Sequence, residues 1–134
     1  MSTQTIASTI RSRFKTLIAT PHSLPTQYDN ENETKQTDLW CRLSILFGDS
    51  FQASIGAPSS NRYRDTGVVV AQLFLPLGKG DKQLYQTAGY IKTAFKSVSV
   101  SGVVFRTPSV KRVGRSENFW QVNVSCPFYA DEIG

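Results

Sequence analysis

The chain has 134 residues, of which 40% are hydrophobic and 19% charged, and this length fits one domain over residues 1–134. The apolar fraction is sufficient for a packed core and excludes a wholly disordered chain. The apolar runs are far shorter than the roughly 18 residues of a membrane-spanning helix, and the first residues lack the apolar centre of a signal peptide. We therefore expect a soluble protein without a targeting segment.

The net charge of +5 comes from 15 Lys and Arg against 10 Asp and Glu, and it is unevenly distributed along the chain. Between residues 79 and 115 there is a single acid, Asp81. The basic residues of this region are Lys79, Lys82, Lys92, Lys96, Arg106, Lys111, Arg112 and Arg115. Such a field favours an acidic partner, which would be nucleic acid, an anionic surface or an acidic protein face. A solvated surface without any partner explains the same charge equally well.

The amino-terminal half predicts one helix, one strand and two polar segments. A stripe of helical period is formed by Ile6, Ile10, Phe14, Leu17 and Ile18. Pro21 and Pro25 end this helix because proline cannot continue it. The next strand, over 39–47, alternates and places on one face Leu39, Cys41, Leu43, Ile45 and Phe47. Segments 19–38 and 48–66 are polar, and we predict that both are long mobile loops.

The carboxy-terminal half predicts a buried strand, a helix and two further strands. Val68–Leu75 is apolar on both faces except at Gln72, which is typical of a central strand. Asp81 is a candidate N-cap for a helix whose core-facing stripe is Leu84, Ala88, Ile91, Phe95 and Val98. Strand residues then run from 103 to 113, and 114–117 predict a turn. The last strand alternates, with Trp120, Val122, Val124, Cys126 and Phe128 on one face and Gln121, Asn123 and Ser125 on a wet face.

The predicted order is therefore α-β-β-α-β-β. This pattern is typical of an α+β protein, in which a mixed, mostly antiparallel sheet of about four strands carries two helices on one face.

The residue types of a catalytic centre are sparse. His22 is the single histidine and lies in a Pro-flanked polar segment, and no acid pair has helical spacing on an apolar face. Cys41 and Cys126 are far apart inside apolar strands, which is typical of buried free thiols. Residues 78–80 precede a helix as in a phosphate-binding loop, but the Walker spacing is absent and we interpret them as a turn. We expect no enzyme activity, no cofactor and no metal site.

Basic residues interleaved with aromatic ones keep nucleic-acid binding open. Four basic residues lie between 106 and 115, and Phe105, Phe119 and Trp120 are close to them in sequence. Trp120 shares the apolar face of its strand, which favours a core position instead. Our candidate surface for assembly or a partner comprises Arg62, Arg64, Arg106, Lys111, Arg112, Arg115, Gln121 and Asn123.

Three short motifs follow one another along the chain. A strand carrying Trp is present in residues 38–43, DLWCRL. The stretch 64–80, RDTGVVVAQLFLPLGKG, is a strand that ends in Pro and Gly-x-Gly before a long helix. The last strand closes with a hydrophobic-Pro-Phe ending in 125–129, SCPFY. The order and spacing of these motifs resemble those of phage and prophage tail terminator, or tail completion, proteins. The resemblance extends over nearly the whole chain, except for 19–38, to which we assign no role.

The resemblance implies a structural protein of the virion tail rather than an enzyme. Similar proteins form a ring, usually a hexamer, that caps the tail tube at its head-proximal end and stops its polymerisation. The implied partners are further copies of the chain, the tail tube protein and the head–tail connector, with a passing contact to DNA and none to a membrane. Assembly would take place in the host cytoplasm. A head–tail joining protein and a nucleic-acid-binding phage accessory protein remain as alternatives.

Overall fold

A computed structural model describes residues 2–29, 37–52 and 62–133, with only the backbone described at 62, 132 and 133. The described helices are α1 (Thr3–Phe14), which continues into a π-helical turn at Lys15–Ala19, and α2 (Lys82–Phe95). The described strands are β1 (Thr26–Tyr28), β2 (Trp40–Gln52), β3 (Arg62–Pro76), β4 (Ser99–Val100), β5 (Val103–Phe105), β6 (Ser109–Ser116) and β7 (Phe119–Ile133).

These seven strands form one sheet in the order β1-β2-β3-β7-β5-β4, and β6 pairs with β7 beside β5. The described strand pairs are antiparallel except for β1 with β2, which is parallel. The predicted α+β class with two helices and a mixed, mostly antiparallel sheet is confirmed. The predicted number of about four strands is wrong. Two strands, β1 and β4, are too short to show a periodic pattern, and Pro108 lies where a single predicted strand divides into β5 and β6.

Both helices pack on one face of the sheet, which we call the inner face. The buried stripe of α1 consists of Ile6, Ile10 and Phe14, and that of α2 of Leu84, Ala88, Ile91 and Phe95. They form one core with alternate residues of β2, β3 and β7, namely Cys41, Leu43, Val69, Ala71, Leu73, Leu75, Val122, Val124, Cys126, Phe128 and Ala130. The alternation predicted for residues 122–128 of β7 and for Cys41 and Leu43 of β2 is therefore confirmed by burial, whereas Phe47, predicted for the same face of β2, is exposed.

Two residues of the predicted helix stripes depart from the core. Leu17 is exposed, because the chain from Lys15 follows a wider turn in which the Thr20 amide donates to the Lys15 carbonyl at 2.9 Å. Val98 lies beyond the end of α2 and is half-buried. Asp81 occupies the predicted N-cap position, although its side chain makes no capping hydrogen bond.

The predicted loop over 48–66 is wrong at both of its ends. Residues 48–52 continue β2, and residues 62–66 begin β3. Most of these residues are polar, but the ladder is made by the backbone, and β3 is paired with β2 on one side and β7 on the other. In the other predicted loop, residues 26–28 form β1. The predicted mobility of 30–36 and 53–61 concerns residues outside the described ones.

The turn predicted at 114–117 lies later in the chain. β6 continues to Ser116, and the turn is made by Glu117 and Asn118, where Glu117 has a φ of 54°. The turn was predicted at 114–117 because glycine and polar residues follow one another there. In the structure, Gly114 instead follows an irregularity in the register between β6 and β7 that lies between Arg112 and Gly114. β7 also extends five residues beyond Phe128, to Ile133.

Candidate assembly surface

The second face of the sheet, which we call the outer face, carries no helix in the part of the chain that the structure describes. Its residues alternate with the core residues along each strand, so that the register places one row beside the next. Across β2, β3 and β7, one row is Trp40, Phe74 and Gln121, the next Arg42, Gln72 and Asn123, and a third Leu46, Val68 and Pro127. A sheet face without a covering layer is a surface at which another molecule can bind.

One end of the outer face is aromatic. The Trp40 ring stacks on Phe74 with centroids 4.3 Å apart, and Phe119 meets both rings edge-on at 5.8 and 6.1 Å. The guanidinium of Arg42 lies 5.4 Å from the Trp40 ring, a cation–π distance. Trp40 and Phe74 are both buried. This cluster therefore forms a small second core on the outer face, and Arg42 lies over it.

The row that we expected to be wet is only partly so. Gln121 is 6% exposed, because it lies in the sheet between Phe74 on β3 and Gly114 on β6. Its Nε2 donates to Oδ1 of Asn123 at 2.8 Å, so one hydrogen bond joins the two side-chain amides along β7. Asn123 is half-buried, and Lys111 beside it on β6 is exposed. Among Gln121, Asn123 and Lys111, the exposed side chain of Lys111 is therefore the one most accessible to a partner.

Arginine and tyrosine side chains gather at the other end of the outer face. The guanidinium of Arg64 donates to both carboxylate oxygens of Asp131, with Nε 2.7 Å and one terminal nitrogen 3.0 Å from them. This hydrogen bond raises the pKa of Arg64 above its ordinary value. The Tyr129 ring lies 4.1 Å from the Arg64 guanidinium and 5.0 Å from that of Arg106. The structure thus brings two of the predicted surface residues, Arg64 and Arg106, around one tyrosine.

The predicted basic cluster of the last hairpin is divided between the two faces of the sheet. Lys111 is paired with Asn123 on the outer face, whereas Arg112 and Arg115 are opposite Val122 and Trp120 on the inner face. Lys111 and Arg112 are consecutive, so strand alternation places them on opposite faces, and the extra residue between Arg112 and Gly114 then places Arg115 on the same face as Arg112. The Arg112 guanidinium lies 5.0 Å from the Trp120 ring, and Arg115 donates to the Glu117 carbonyl. The remaining predicted residue, Arg62, begins β3 with its side chain outside the described part.

A projecting part of the sheet was not predicted from sequence. We call residues 46–52 of β2 and 62–66 of β3 the arm. The two strands of the arm are paired with an irregularity in their register between Phe47 and Ser50. The arm exposes large apolar side chains: Leu46 is 58% exposed, Phe51 49%, Phe47 41% and Tyr63 38%. The signal that could have found it is the aromatic and β-branched content of these segments, which favours strand. The high density of polar residues around them outweighed that signal.

The described residues contain no group of three or more His, Cys, Asp or Glu side chains that could hold a metal ion. His22 is exposed and its ring stacks on Tyr90 at 4.2 Å, which makes it a packing residue. Burial raises the pKa of the Cys126 thiol to about 11 and that of Cys41 further, so neither is an activated nucleophile. A search of the described helices for one that is long and apolar enough to cross a membrane found none.

Comparison with known proteins decides the family. The family described as phage tail terminator protein matches residues 5–128, which is most of the chain. The chain belongs to the phage tail terminator family. It is therefore a structural protein of phage tail assembly, and the virion tail is its place of function. The resemblance seen in the sequence motifs is confirmed. The family is one of structural proteins rather than an enzyme class.

A second comparison concerns the fold. A solved structure without a functional name is similar to this chain with a TM-score of 0.74, and the two sequences are 18% identical. The similarity covers 98% of this chain and 96% of that chain. At this identity the likeness supports the fold alone. Among curated proteins, no sequence matches the chain.

Proposed function

We propose that the protein caps the tail tube at its head-proximal end and terminates tube polymerisation as an oligomeric ring, a hexamer. Family membership supports a role in tail assembly. The observation that carries the finer proposal is the arm, because its apolar side chains Leu46 and Phe51 are exposed to solvent and are stabilised when a partner buries them. A protein that binds to a tube end exposes apolar side chains before assembly and buries them in the assembled tail.

A ring is the assembly that this architecture supports. A ring of identical copies needs two dissimilar surfaces on each copy, so that every contact is head to tail and the rotation closes. One small domain of 14.9 kDa suffices when the working unit is about 90 kDa, six copies of the chain. The outer face would then meet the tail tube protein or the head–tail connector. Assembly in the host cytoplasm precedes incorporation into the virion.

The test is polymerisation of purified tail tube subunits from the same phage, with and without the protein. We expect tubes that stop growing when the protein is added, and negative-stain images with additional density at one end of each tube. An unchanged distribution of tube lengths together with bare tube ends would contradict the proposal. A head–tail joining protein would instead leave tube length unchanged and produce complete tails that fail to attach to heads.

Variants of the candidate surface can be matched with variants of the helix layer. Arg106→Glu and Lys111→Glu reverse charge on exposed residues of the outer face. Lys92→Glu and Lys96→Glu make the same change on exposed residues at the end of α2. We expect the first pair to reduce binding to tube ends and the second pair to leave it unchanged. Equal loss in both pairs would indicate a general charge effect instead of a specific surface.

Nucleic-acid binding is the second candidate function, and one observation favours it. Arg42, Arg106 and Lys111 all lie on the outer face, and Asp131 on that face is already paired with Arg64. A DNA titration over a series of salt concentrations tests it, because each phosphate contact steepens the dependence of affinity on salt. A steep slope would support direct contact with DNA, and absence of binding at low salt would exclude it.

A further inference from the structure

We propose that the edge of β2 in the arm pairs with the edge of β6 in a second copy of the chain, so that the sheet continues from one copy to the next. The proposal deepens the proposed function, on which it rests, by naming the contact that would build the ring. It is carried by the backbone edges, the exposed apolar residues and the charges of these two strands.

The edge of β2 is covered over only part of its length. β1 pairs with Cys41–Leu43, and beyond it the carboxylate of Asp29 accepts hydrogen bonds from the Ser44 hydroxyl at 2.9 Å and the Ile45 amide at 3.3 Å. From residue 46 to residue 51, β2 is paired with β3 alone among the described strands, with an irregularity in the register between Phe47 and Ser50. This edge carries backbone groups that a further strand could satisfy.

β6 has the same property at the other side of the sheet. It is eight residues long and pairs with β7 alone among the described strands. Its length is comparable to that of the open part of β2. Val113 at the irregularity of β6 is 50% exposed, so this edge also presents an apolar side chain to solvent. The two edges lie on opposite sides of the four adjacent strands β2, β3, β7 and β6.

The charges favour pairing of unlike edges over pairing of like edges. The edge of β2 in the arm has one charged residue, the exposed Asp49. On the β3 strand of the arm, Asp65 accepts a hydrogen bond from the Ser50 hydroxyl and Arg64 is paired with Asp131. β6 carries the exposed residues Lys111, Arg112 and Arg115. Two β6 edges placed together would set basic residues against basic residues, which destabilises a strand pair. Pairing β2 with β6 sets acid against base, and the contact is head to tail because the two edges are different.

Cysteine crosslinking tests the pairing, because the two native thiols are buried and should not react with the crosslinker. Cys41 and Cys126 are 0% and 3% exposed, and burial keeps both protonated. The variants Phe51→Cys and Val113→Cys place one thiol on each edge, and a short bismaleimide joins thiols that are close together. The protein is treated at high concentration and also when bound to tail tubes. Leu46→Cys combined with Val113→Cys provides a second pair at a different register.

We expect the double variants to give a ladder of covalent multimers, whereas each single variant gives none. A head-to-tail contact requires this result, because each link joins two different residues. Leu17→Cys combined with Val113→Cys is the matched control, since Leu17 is 39% exposed but lies in the helix layer. The control is expected to give no ladder.

A charge exchange provides the second measurement. Asp49→Lys alone, and Lys111→Glu with Arg115→Glu alone, are each expected to lower the ladder yield several-fold. Combining both sets in one chain restores the opposition of charges, and we expect the yield to recover. Arg112 is left unchanged because it packs on Trp120.

The outcomes separate this inference from the proposed function. Dimers from a single-cysteine variant, or protein bound at tube ends without a ladder, would overturn the edge pairing and leave tube capping intact. A ladder from protein that never binds tube ends would support the pairing and contradict tube capping. Failure of the charge exchange to recover the yield would also overturn the pairing.

Discussion

Gly67 lies directly beneath the ring of Phe128, its partner across the β3–β7 ladder. A Cβ at residue 67 would come within 2.6 Å of Cζ of Phe128 and 2.7 Å of the Leu46 carbonyl oxygen. On the other side of Gly67, Phe47 is paired with it and meets Phe128 edge-on at 5.9 Å. The Phe128 ring therefore occupies the space that a side chain at residue 67 would need, and Phe47 packs against that ring. Gly67 lies at the point where the arm leaves the helix-covered part of the sheet.

We expect Gly67→Ala to destabilise the fold by about 1–3 kcal/mol, because the added methyl group overpacks this site against a backbone carbonyl that cannot move aside. Urea unfolding followed by fluorescence measures the change. The control is Gly89→Ala in α2, where no atom lies within 4 Å of the added Cβ. That variant is expected to be neutral or more stable, by up to about 1 kcal/mol, since alanine favours a helix.

Asp131→Asn is expected to loosen the paired region of β3 and β7 beyond the helix layer. The change removes the carboxylate to which Arg64 donates twice, and with it the charge that orients Arg64 on Tyr129. Hydrogen exchange of the amides in 63–66 and 129–131 should become several-fold faster. Asp38→Asn is the control, because the pair of Asp38 with Lys79 at 3.6 Å is exposed and contributes little. Equal exchange in both variants would refute the assigned role of the ion pair.

The two buried thiols should make stability fall in alkaline solution. In the unfolded chain a thiol ionises near pH 8.5, whereas the pKa of Cys126 in the folded chain is about 11. Between these values the folded state holds more protons than the unfolded state, so the free energy of unfolding decreases as pH rises. The contribution is at most about 1.4 kcal/mol per pH unit for each thiol.

Cys126→Ala isolates this effect from the other groups that titrate in the same range. We expect the urea midpoint of the variant to decline less steeply between pH 8 and pH 10 than that of the parent chain. Identical slopes would show that Cys126 titrates alike in both states. Neither native thiol should react with a maleimide in the folded protein, and both should react in urea, because both are buried.

Phe95→Ala is expected to cost about 3–5 kcal/mol, since it removes a fully buried ring from the centre of the helix–sheet interface. The Phe95 ring contacts Phe105 edge-on at 5.0 Å and stacks on Phe14 at 6.4 Å, so it joins both helices to the sheet. Tyr85→Ala on the exposed side of α2 is the control and should change stability by less than about 0.5 kcal/mol. Denaturant unfolding of both variants provides the comparison.

The helices and the strand faces were predictable because their signals are local. In α2, residues 84, 88, 91 and 95 share one side of the helix by its period alone, and all four are buried. In β7, residues 122 to 128 alternate for the same reason. Alternation fails as a guide where one extra residue changes the register: the irregularity at Val113 places Arg115 on the inner face, and no short-range pattern marks it.

The candidate surface depended still more on tertiary pairing. Alternation along β7 predicted that Gln121 is exposed to solvent. It is buried, because Phe74 and Gly114 are its neighbours across the sheet. Residues 48–52 and 62–66 of the arm were predicted to be loop because most of them are polar. In the structure β3 is held there between β2 and β7 by backbone hydrogen bonds, which every residue but proline can donate.

Length, composition and charge by themselves determined that this is a small basic chain with enough apolar residues for a core, and motif order pointed to its family. The tertiary structure decided where that charge lies and which apolar residues remain uncovered. The physical reason is that side-chain periodicity is a property of a few consecutive residues. Whether a strand has a neighbour on both sides depends instead on pairing with segments that are distant in sequence. The basic residues of the last hairpin thus lie on two faces, and among the described strands part of β2 and the whole of β6 have a neighbour on one side only.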